Sequence, residues 1–187
     1  MFHRVDKHIH QYFHPLEDLL FLWREKLLEH FYECLPKLEK SFNVSLNGEK
    51  FSALTFELTN IIYPLIKKYY IIDDPVQPIQ YRLYVQNNER FARVWHNHTE
   101  QNQYILGTIY DNIPTKGGEV GFKNKFLEDI IVKPRSNTIT LFPYWMYHSP
   151  FPHEDNIERI CINLAYCSMK KPIHKLIIGG FAIGIML

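Results

Sequence analysis

Residues 139–150 read Ile-Thr-Leu-Phe-Pro-Tyr-Trp-Met-Tyr-His-Ser-Pro, and this stretch decides how the rest of the chain is interpreted. Its β-branched and aromatic residues predict a buried strand, and we take the strand to end at His148. A polar side chain in such an environment needs a partner, because its burial is otherwise costly. A second alternating stretch, residues 157–164, places Arg159 eleven positions beyond His148. Together the two stretches indicate a functional site built on strands.

Short segments of strand character and turn signals fill the second half of the chain. The predicted strands cover residues 79–85, 91–95, 104–110, 119–122, 130–132, 138–142 and 159–166. Before them, apolar residues recur at helical spacing from Leu16 to Phe31 and from Phe51 to Tyr69, which predicts two amphipathic helices that pack on a sheet. The predicted fold class is therefore mainly β with N-terminal helices. We expect a double-stranded β-helix, a jelly-roll or cupin-like barrel, with the helices packed on one face.

The same pattern divides the chain into three parts. Residues 1–72 form an N-terminal arm and helical support, residues 73–170 form the double-stranded β-helix core, and residues 171–187 form an apolar tail. Four irregularly spaced histidines among polar residues predict that the arm, residues 1–14, is solvated. The last twelve residues are apolar or glycine, too few for a membrane-spanning helix of about 20 residues. We expect the tail to pack on the same domain or to mediate self-association.

Composition excludes several classes of partner. Lys and Arg number 21 and Asp and Glu number 20, so a net charge of +1 gives no field that favours nucleic acid or an anionic membrane. The three cysteines form no Cys-x-x-Cys pattern and predict a reducing, cytoplasmic location. The charged residues near the start interrupt any signal peptide. We expect a cytoplasmic protein without a membrane span.

Candidate metal ligands lie in residues 96–100, which read His-Asn-His-Thr-Glu. Side chains two positions apart on a strand point to the same face, so this segment can offer two ligands to one ion, and His148 is the best third ligand. Chemistry favours His98, Glu100 and His148, since two histidines and a carboxylate suit iron(II) and leave one face of the ion open. His96 competes with Glu100 and would give a three-histidine site. The spacing also fits zinc or a chance surface cluster.

Arg159 is the candidate anion-binding residue. A guanidinium inside a barrel needs a hydrogen-bonded or anionic partner, and its planar fork matches a carboxylate. One interpretation is the capture of a dicarboxylic co-substrate. The other is a structural ion pair with Glu158 or Glu119.

Taken together, residues 79–166 resemble the iron(II)- and 2-oxoglutarate-dependent oxygenases. Residues 139–150, continuing into residues 158–163, look like the "LFP-x-W-x-x-H … ER-I-S-I" signature of small 2-oxoglutarate oxygenases of bacteria and phages. Residues 117–119 are similar to the "GGE" turn of prolyl-hydroxylase-like members. The resemblance implies Fe(II) as cofactor with His148 as its distal ligand. It also implies 2-oxoglutarate as co-substrate, with its far carboxylate paired to Arg159.

The chain departs from that family at two points. The proximal motif is usually His-x-Asp or His-x-Glu, and here both His98-Thr99-Glu100 and His96-Asn97-His98 are available. Cys161 occupies a position where many relatives carry a serine that helps to hold the co-substrate, and a thiol is a weaker hydrogen-bonding group. Further side chains expected near the co-substrate are Tyr81, Tyr84 and Tyr104.

The resemblance implies a dioxygenase that hydroxylates an unidentified small-molecule or peptidyl substrate with O2 and releases succinate and CO2. Trp95, Trp145 and Tyr147 either shape the substrate cavity or simply pack in the core. Two alternatives stay open: a cupin-type metalloenzyme using His96, His98 and His148 without 2-oxoglutarate, and a barrel-shaped binding module without catalysis. The helices and the apolar tail are candidate surfaces for a homo-oligomer.

Overall fold

The computed structural model describes residues 2–4, 8–14, 16–38, 43–70, 76–87, 94–99, 105–123, 126–135, 137–168, 174–178 and 181–185. Its first half contains β1 (Phe2–Arg4), β2 (His10–Phe13), α1 (Glu17–Cys34), β3 (Asn43–Ser45) and α2 (Ser52–Tyr70), with short 3-10 turns at Leu35–Lys37 and Glu49–Phe51. Its second half contains β4 (Val76–Gln86), β5 (Ile105–Asn112), β6 (Val120–Lys123), β7 (Asp129–Val132), β8 (Thr138–Pro143), β9 (His148–Pro150), β10 (Arg159–Ser168), β11 (His174–Ile178) and β12 (Phe181–Ile185).

Two antiparallel sheets form the core of the fold. The larger sheet has seven strands in the order β1-β2-β8-β5-β10-β4-β3, and the smaller has three in the order β7-β6-β9. An isolated bridge between His96 and His148 brings the segment at residues 94–99 alongside β9. The predicted jelly-roll class with two N-terminal helices is confirmed. The two core sheets are separate, a third sheet contains only β11 and β12, and a closed barrel is not seen among the described strands.

Alternation along the strands separates an apolar face from a polar one. Ile160, Ile162 and Leu164 of β10 are buried in the core that the larger sheet shares with α1 and α2. Arg159 and Cys161 occupy the intervening positions and face the other way, because successive side chains on a strand point to opposite faces. The helical stripes pack as predicted, and Phe31 and Leu58 are fully buried in the same core.

A second, smaller core lies between the two sheets. Phe122 and Val132 of the smaller sheet pack there with Leu106 and Phe142 of the larger one, and with Met146 from the turn before β9. The sheets are thus held face to face at one end of the space between them. The polar side chains of the larger sheet line the remainder of that space.

The sequence predicts a solvated arm over residues 1–14, and this prediction is wrong for residues 9–11, which are buried. β2 pairs with β8 in antiparallel register, with His10 opposite Leu141. The Gln11 side chain donates to the Lys133 carbonyl at 3.0 Å. Covering the edge of β8 satisfies backbone groups that an exposed edge leaves unpaired. Four residues are too few to show a strand period against the histidine-rich background.

Other boundaries differ from the prediction in detail. The strand at residues 138–142 ends at Pro143, a turn follows, and His148 begins β9 instead of ending the previous strand. Residues 94 and 95 lie outside regular strands. Residues 91–93 are outside the described residues. The three-part division of the chain stays a prediction.

The apolar tail contains a two-stranded antiparallel hairpin in which β11 pairs with β12. Its packing on the domain, like its part in self-association, stays a prediction. No helix in the described ranges combines the length and the apolar character needed to cross a bilayer.

Gly117 closes the turn before β6 with a backbone that only glycine adopts easily. Its φ is +75°, and a Cβ atom there would lie 2.6 Å from the Pro152 carbonyl oxygen. We expect Gly117→Ala to lower the free energy of unfolding by about 2–4 kcal/mol, from left-handed strain and the backbone clash. Chemical denaturation measures this loss.

Gly48→Ala is the matched control for that substitution. Gly48 has extended backbone with φ 168°, and its Cβ position has no other atom within 4 Å. The control should change stability by less than about 1 kcal/mol. Equal losses in the two variants would contradict the geometry assigned to the turn.

Candidate functional site

A cavity of about 360 Å³ lies between the two sheets. Its walls come from the inner faces of β4, β5, β8 and β10, from β6 and β9, and from the segment that carries residues 94–98. Three histidines lie on that segment and on β9, and Arg159 lies at the start of β10. The cavity therefore brings together side chains that are more than fifty residues apart in the sequence.

The three histidines are His96, His98 and His148. Each offers one ring nitrogen, and these three nitrogens all lie within 4.8 Å of one another. Backbone hydrogen bonds hold the arrangement: His96 N–H donates to the His148 carbonyl at 3.2 Å, and His148 N–H donates to the His96 carbonyl at 2.9 Å. His98 N–H donates to the Tyr144 carbonyl at 3.0 Å. Three backbone contacts thus fix the spacing of the cluster.

The ring orientations of two of the histidines suit ligation. Nδ1 of His148 lies 3.1 Å from the Met146 carbonyl, and Nδ1 of His96 lies 2.9 Å from the Val94 carbonyl. A carbonyl accepts only, so we assign the proton to each Nδ1, which leaves the Nε2 lone pair for another partner. Burial, with the neighbouring His96 and His98, lowers the pKa of His148 to about 3. His148 is therefore neutral at physiological pH, as a ligand must be.

The donor set fits one first-row metal ion. Imidazole ligands suit iron, zinc, copper and nickel, and the described cluster contains no thiolate that would select a softer ion. His148 is 9% exposed, whereas His96 is exposed, so one side of the cluster is closed and the other is reachable. Glu100 lies outside the described residues, and its role as a ligand stays a prediction.

Arg159 is one of the largest fully buried side chains among the described residues, at 1% exposure. Its Nε donates to Gln86 Oε1 at 3.1 Å, and Nη2 donates to the same oxygen at 2.5 Å. Its Nη1 donates to the Gly118 carbonyl at 2.9 Å. Neutral acceptors on β4 and on the Gly117-Gly118 turn thus help to orient the guanidinium.

Gln86 is a site residue that sequence reasoning missed. It is 6% exposed, and it lies directly opposite Arg159 in the pairing of β4 with β10. Gln86 is two positions from Tyr84, so strand alternation places both side chains on the same face. This spacing is the signal in the sequence that could have identified Gln86. The register between two strands some seventy residues apart was needed to connect it with Arg159.

Cys161 and Tyr84 both line the cavity, and their part in holding a co-substrate stays a prediction. Burial raises the pKa of the Cys161 thiol to about 11, against a smaller lowering by the Arg159 guanidinium. The thiol is therefore protonated at neutral pH and can donate a weak hydrogen bond. Tyr110, which the sequence analysis did not single out, faces the same cavity from β5.

The prediction for Tyr81 is wrong, and Tyr104 lies outside the described residues. Tyr81 points to the helical side, where its hydroxyl lies 2.7 Å from Thr59 Oγ1 and 3.0 Å from the Tyr166 hydroxyl. Successive side chains on a strand alternate between the two faces of the sheet. Tyr81 and Tyr84 are three positions apart, so they point to opposite faces.

The three other aromatic candidates lie away from the cavity walls. Trp95 packs edge-on against Phe151, with ring centroids 6.2 Å apart. Trp145 is partly buried against the small core between the sheets, and Tyr147 is 46% exposed. The described contacts are those of ordinary packing.

No protein-family model and no curated protein sequence matches this chain. Solved structures do match its fold. A prolyl-4-hydroxylase from Pseudomonas putida has a TM-score of 0.64 at 12% identity over 87% of this chain and 94% of its own. A 2-oxoglutarate complex of the viral collagen prolyl hydroxylase of Paramecium Bursaria Chlorella virus-1 has a TM-score of 0.55 at 10% identity over 87% and 97%.

A prolyl 4-hydroxylase from Phytophthora capsici matches with a TM-score of 0.57 at 18% identity over 79% of this chain. The chain spans 55% of the length of that protein. At such identities the shared property is the fold. The chain therefore has the jelly-roll fold of the 2-oxoglutarate- and iron(II)-dependent oxygenases, in a form similar to the prolyl 4-hydroxylases.

Proposed function

We propose that this protein is an iron(II)- and 2-oxoglutarate-dependent dioxygenase that hydroxylates a substrate entering the cavity between its sheets. One observation carries the proposal: three histidine nitrogens within 4.8 Å of one another share a single cavity with the buried Arg159. A metal-binding group and an anion-binding group in one enclosed space are what a metal-chelating dicarboxylate requires. The fold shared with solved oxygenases supports the same conclusion.

In this proposal His96, His98 and His148 hold the iron. Glu100 remains the alternative to His96, because the sequence favours a carboxylate and the geometry of the described residues favours the three histidines. Arg159 binds the far carboxylate of 2-oxoglutarate, since its planar fork suits a bidentate contact. Cys161 and Tyr84 lie near that carboxylate, and Tyr104 stays a prediction for the same role.

Iron with 2-oxoglutarate supplies the oxidising chemistry when bound, with O2 consumed and succinate and CO2 released. The chain supplies position and a dry environment. Arg159 is held in one orientation by Gln86, so the co-substrate enters in one direction. Phe122 and Phe142 pack around the His148 ring, with Phe142 at a centroid distance of 4.8 Å, and exclude water from that side. A water-poor wall strengthens every charge contact within the cavity.

We further propose a cytoplasmic location, in keeping with the three free cysteines and the lack of a membrane-spanning helix in the described residues. The substrate is a small molecule or a peptidyl side chain. A nucleic-acid partner is not expected at a net charge of +1.

Anaerobic titration tests the proposal. Purified protein receives iron(II) and then 2-oxoglutarate, and we expect a visible charge-transfer band at one equivalent of each. Metal binding without a response to 2-oxoglutarate would instead favour the cupin-type metalloenzyme. The absence of stoichiometric metal binding would leave the barrel-shaped binding module without catalysis as the remaining interpretation.

Two further variants decide the ligand set. We expect His96→Ala to weaken iron binding by more than about 100-fold, because removal of a direct ligand should exceed the 10–100-fold cost of losing an outer-shell partner. Glu100→Ala should change the affinity by less than about 10-fold. Competition with a chromophoric chelator measures both affinities. The reverse order would assign the carboxylate and release His96 from the proposed ligand set.

Gln86→Glu tests whether the uncharged carboxamide matters for Arg159. A carboxylate at this position would pair with the guanidinium and offset the charge that attracts the co-substrate. We expect an increase of at least about tenfold in the 2-oxoglutarate concentration that half-saturates the band, with iron binding unchanged. Thr140→Val, which alters another wall of the cavity without adding charge, is the control. An unchanged half-saturation in Gln86→Glu would contradict this role for Gln86.

A further inference from the structure

A row of polar side chains crosses the inner face of the larger sheet. In the strand registers Arg82 lies opposite Asn163, Asn163 lies opposite Thr108, and Thr108 lies opposite Thr140. All four line the cavity. Interior sheet faces are usually apolar, because buried polar groups need hydrogen-bonding partners. A continuous polar row facing an open space indicates a ligand with polar groups of its own.

The row lies between the two ends of the proposed site. Along β10 the inner-face positions run from Arg159 through Cys161 to Asn163, so Asn163 is about 13 Å from Arg159 at roughly 3.3 Å per residue. Ala165, the next inner-face position, lies opposite Leu106, which lies opposite Phe142. The Phe142 ring contacts His148. Measured along the direction of β10, Asn163 is therefore nearer to the position of the histidines than to the position of Arg159.

Asn163 carries a buried acceptor that has no hydrogen-bond partner among the described residues. Its Oδ1 atom is fully shielded from bulk solvent and makes no hydrogen bond, while the same side chain hydrogen-bonds Tyr84. An unsatisfied buried carbonyl costs about 1–3 kcal/mol. Asn163 lines the cavity, so a small rotation of its amide would turn Oδ1 toward a ligand N–H or O–H group and remove this cost, which points to a hydrogen-bond donor on the ligand.

Arg82 adds a positive charge next to that acceptor. Its Nη1 donates to Asn43 Oδ1 at 3.3 Å. When the Gln80 side-chain oxygen faces the guanidinium, Nη2 of Arg82 donates a hydrogen bond to that oxygen at 2.6 Å. Within the described residues no carboxylate forms a salt bridge with Arg82. Neutral side chains therefore orient the guanidinium, which is exposed, and leave its charge available to an anion.

We propose that Arg82 and Asn163 form a substrate subsite for a small carboxylate with a neighbouring N–H or O–H donor, an amino or hydroxy acid. Cross-strand neighbours have Cβ atoms about 5 Å apart, so the two groups can contact adjacent atoms of one molecule. The carboxylate pairs with Arg82, and the donor satisfies Asn163 Oδ1. A cavity of about 360 Å³ has room for a small acid beside 2-oxoglutarate. The identity of this ligand as substrate rests on the proposed function.

Calorimetry tests the subsite directly. The probes are the twenty common L-amino acids, their carboxamides and L-lactate, titrated into the anaerobic iron(II)–2-oxoglutarate protein and into the metal-free protein. We expect at least one acid to bind, and its carboxamide, or for L-lactate the lactamide, to bind at least tenfold more weakly. Arg82→Gln should lower the affinity for the acid at least tenfold and Arg82→Lys less, because lysine keeps the charge but loses the fork. Asn163→Ala should lower it at least threefold. Arg135→Gln, an exposed arginine outside the cavity walls, should change nothing.

Each alternative outcome overturns the subsite. No binding by any acid, equal binding of acid and carboxamide, or full affinity in Arg82→Gln would do so. Loss of the charge-transfer band in Arg82→Gln would assign Arg82 to the co-substrate and also remove it from this role. A missing band in the wild-type protein would overturn the proposed function, while titration of the metal-free protein would still decide the subsite.

Discussion

His148→Ala should abolish the charge-transfer band and weaken iron(II) binding by more than about 100-fold. His148 is the most buried of the three histidines, and its backbone pairs with His96 in both directions. Its neutral ring has Nε2 open for an ion, so the alanine variant loses the ligand that the fold presents most rigidly. Loss of an outer-shell partner alone typically costs 10–100-fold in affinity, and a direct ligand should cost more. Competition with a chromophoric chelator gives the affinity.

A histidine outside the cluster controls for this substitution. His30 lies on α1, half-buried, with its ring 5.0 Å from that of Phe51. His30→Ala should keep both the band and the iron affinity. His148→Ala also removes packing against Phe142 and should lower the free energy of unfolding by about 1–3 kcal/mol, so folding is checked by circular dichroism. Unchanged iron affinity in folded His148→Ala would refute the metal centre.

Arg159→Met is the second substitution with a large expected effect. It leaves Gln86 Oε1 and the Gly118 carbonyl without their buried donor, and each such loss costs about 1–3 kcal/mol. We expect the free energy of unfolding to fall by about 2–4 kcal/mol. The half-saturating concentration of 2-oxoglutarate should rise by at least about 100-fold, while iron(II) alone should still bind. Titration of the band and urea denaturation measure the two effects separately.

Arg159→Lys separates charge from shape at this position. A lysine keeps the positive charge but loses the planar fork that contacts a carboxylate through two parallel hydrogen bonds. The half-saturating concentration should therefore lie between those of the wild type and Arg159→Met. A normal 2-oxoglutarate response in folded Arg159→Met would leave Arg159 with a structural role only.

The sequence alone was sufficient to predict the layers of the fold. Ile160, Ile162 and Leu164 recur at a period of two, and the apolar stripe from Leu16 to Phe31 recurs at a helical period. Each period states which side of an element must be buried, and burial of that side is the main stabilising term in folding. For this reason the mainly β class and the two packed helices were predictable from local spacing.

The sequence also indicated the two halves of the site, for a related reason. A histidine and an arginine within apolar strand segments are costly to bury, so both His148 and Arg159 stood out locally. The ligand cluster did not stand out to the same degree. His96 and His98 became partners of His148 only through a bridge that joins residues fifty-two positions apart.

Only the tertiary structure determined the register in which the strands pair. Local spacing places Tyr81 and Tyr84 on opposite faces of β4, but it does not say which face meets the cavity. It also does not say that Gln86 lies opposite Arg159, that Arg82 lies opposite Asn163, or that residues 10–13 complete the sheet beside β8. Hydrogen bonds between distant strands set these pairings, and their energies depend on the whole sheet. The sequence therefore identified the residue types of the candidate site, whereas the pairing of the strands determined which of these residues are neighbours.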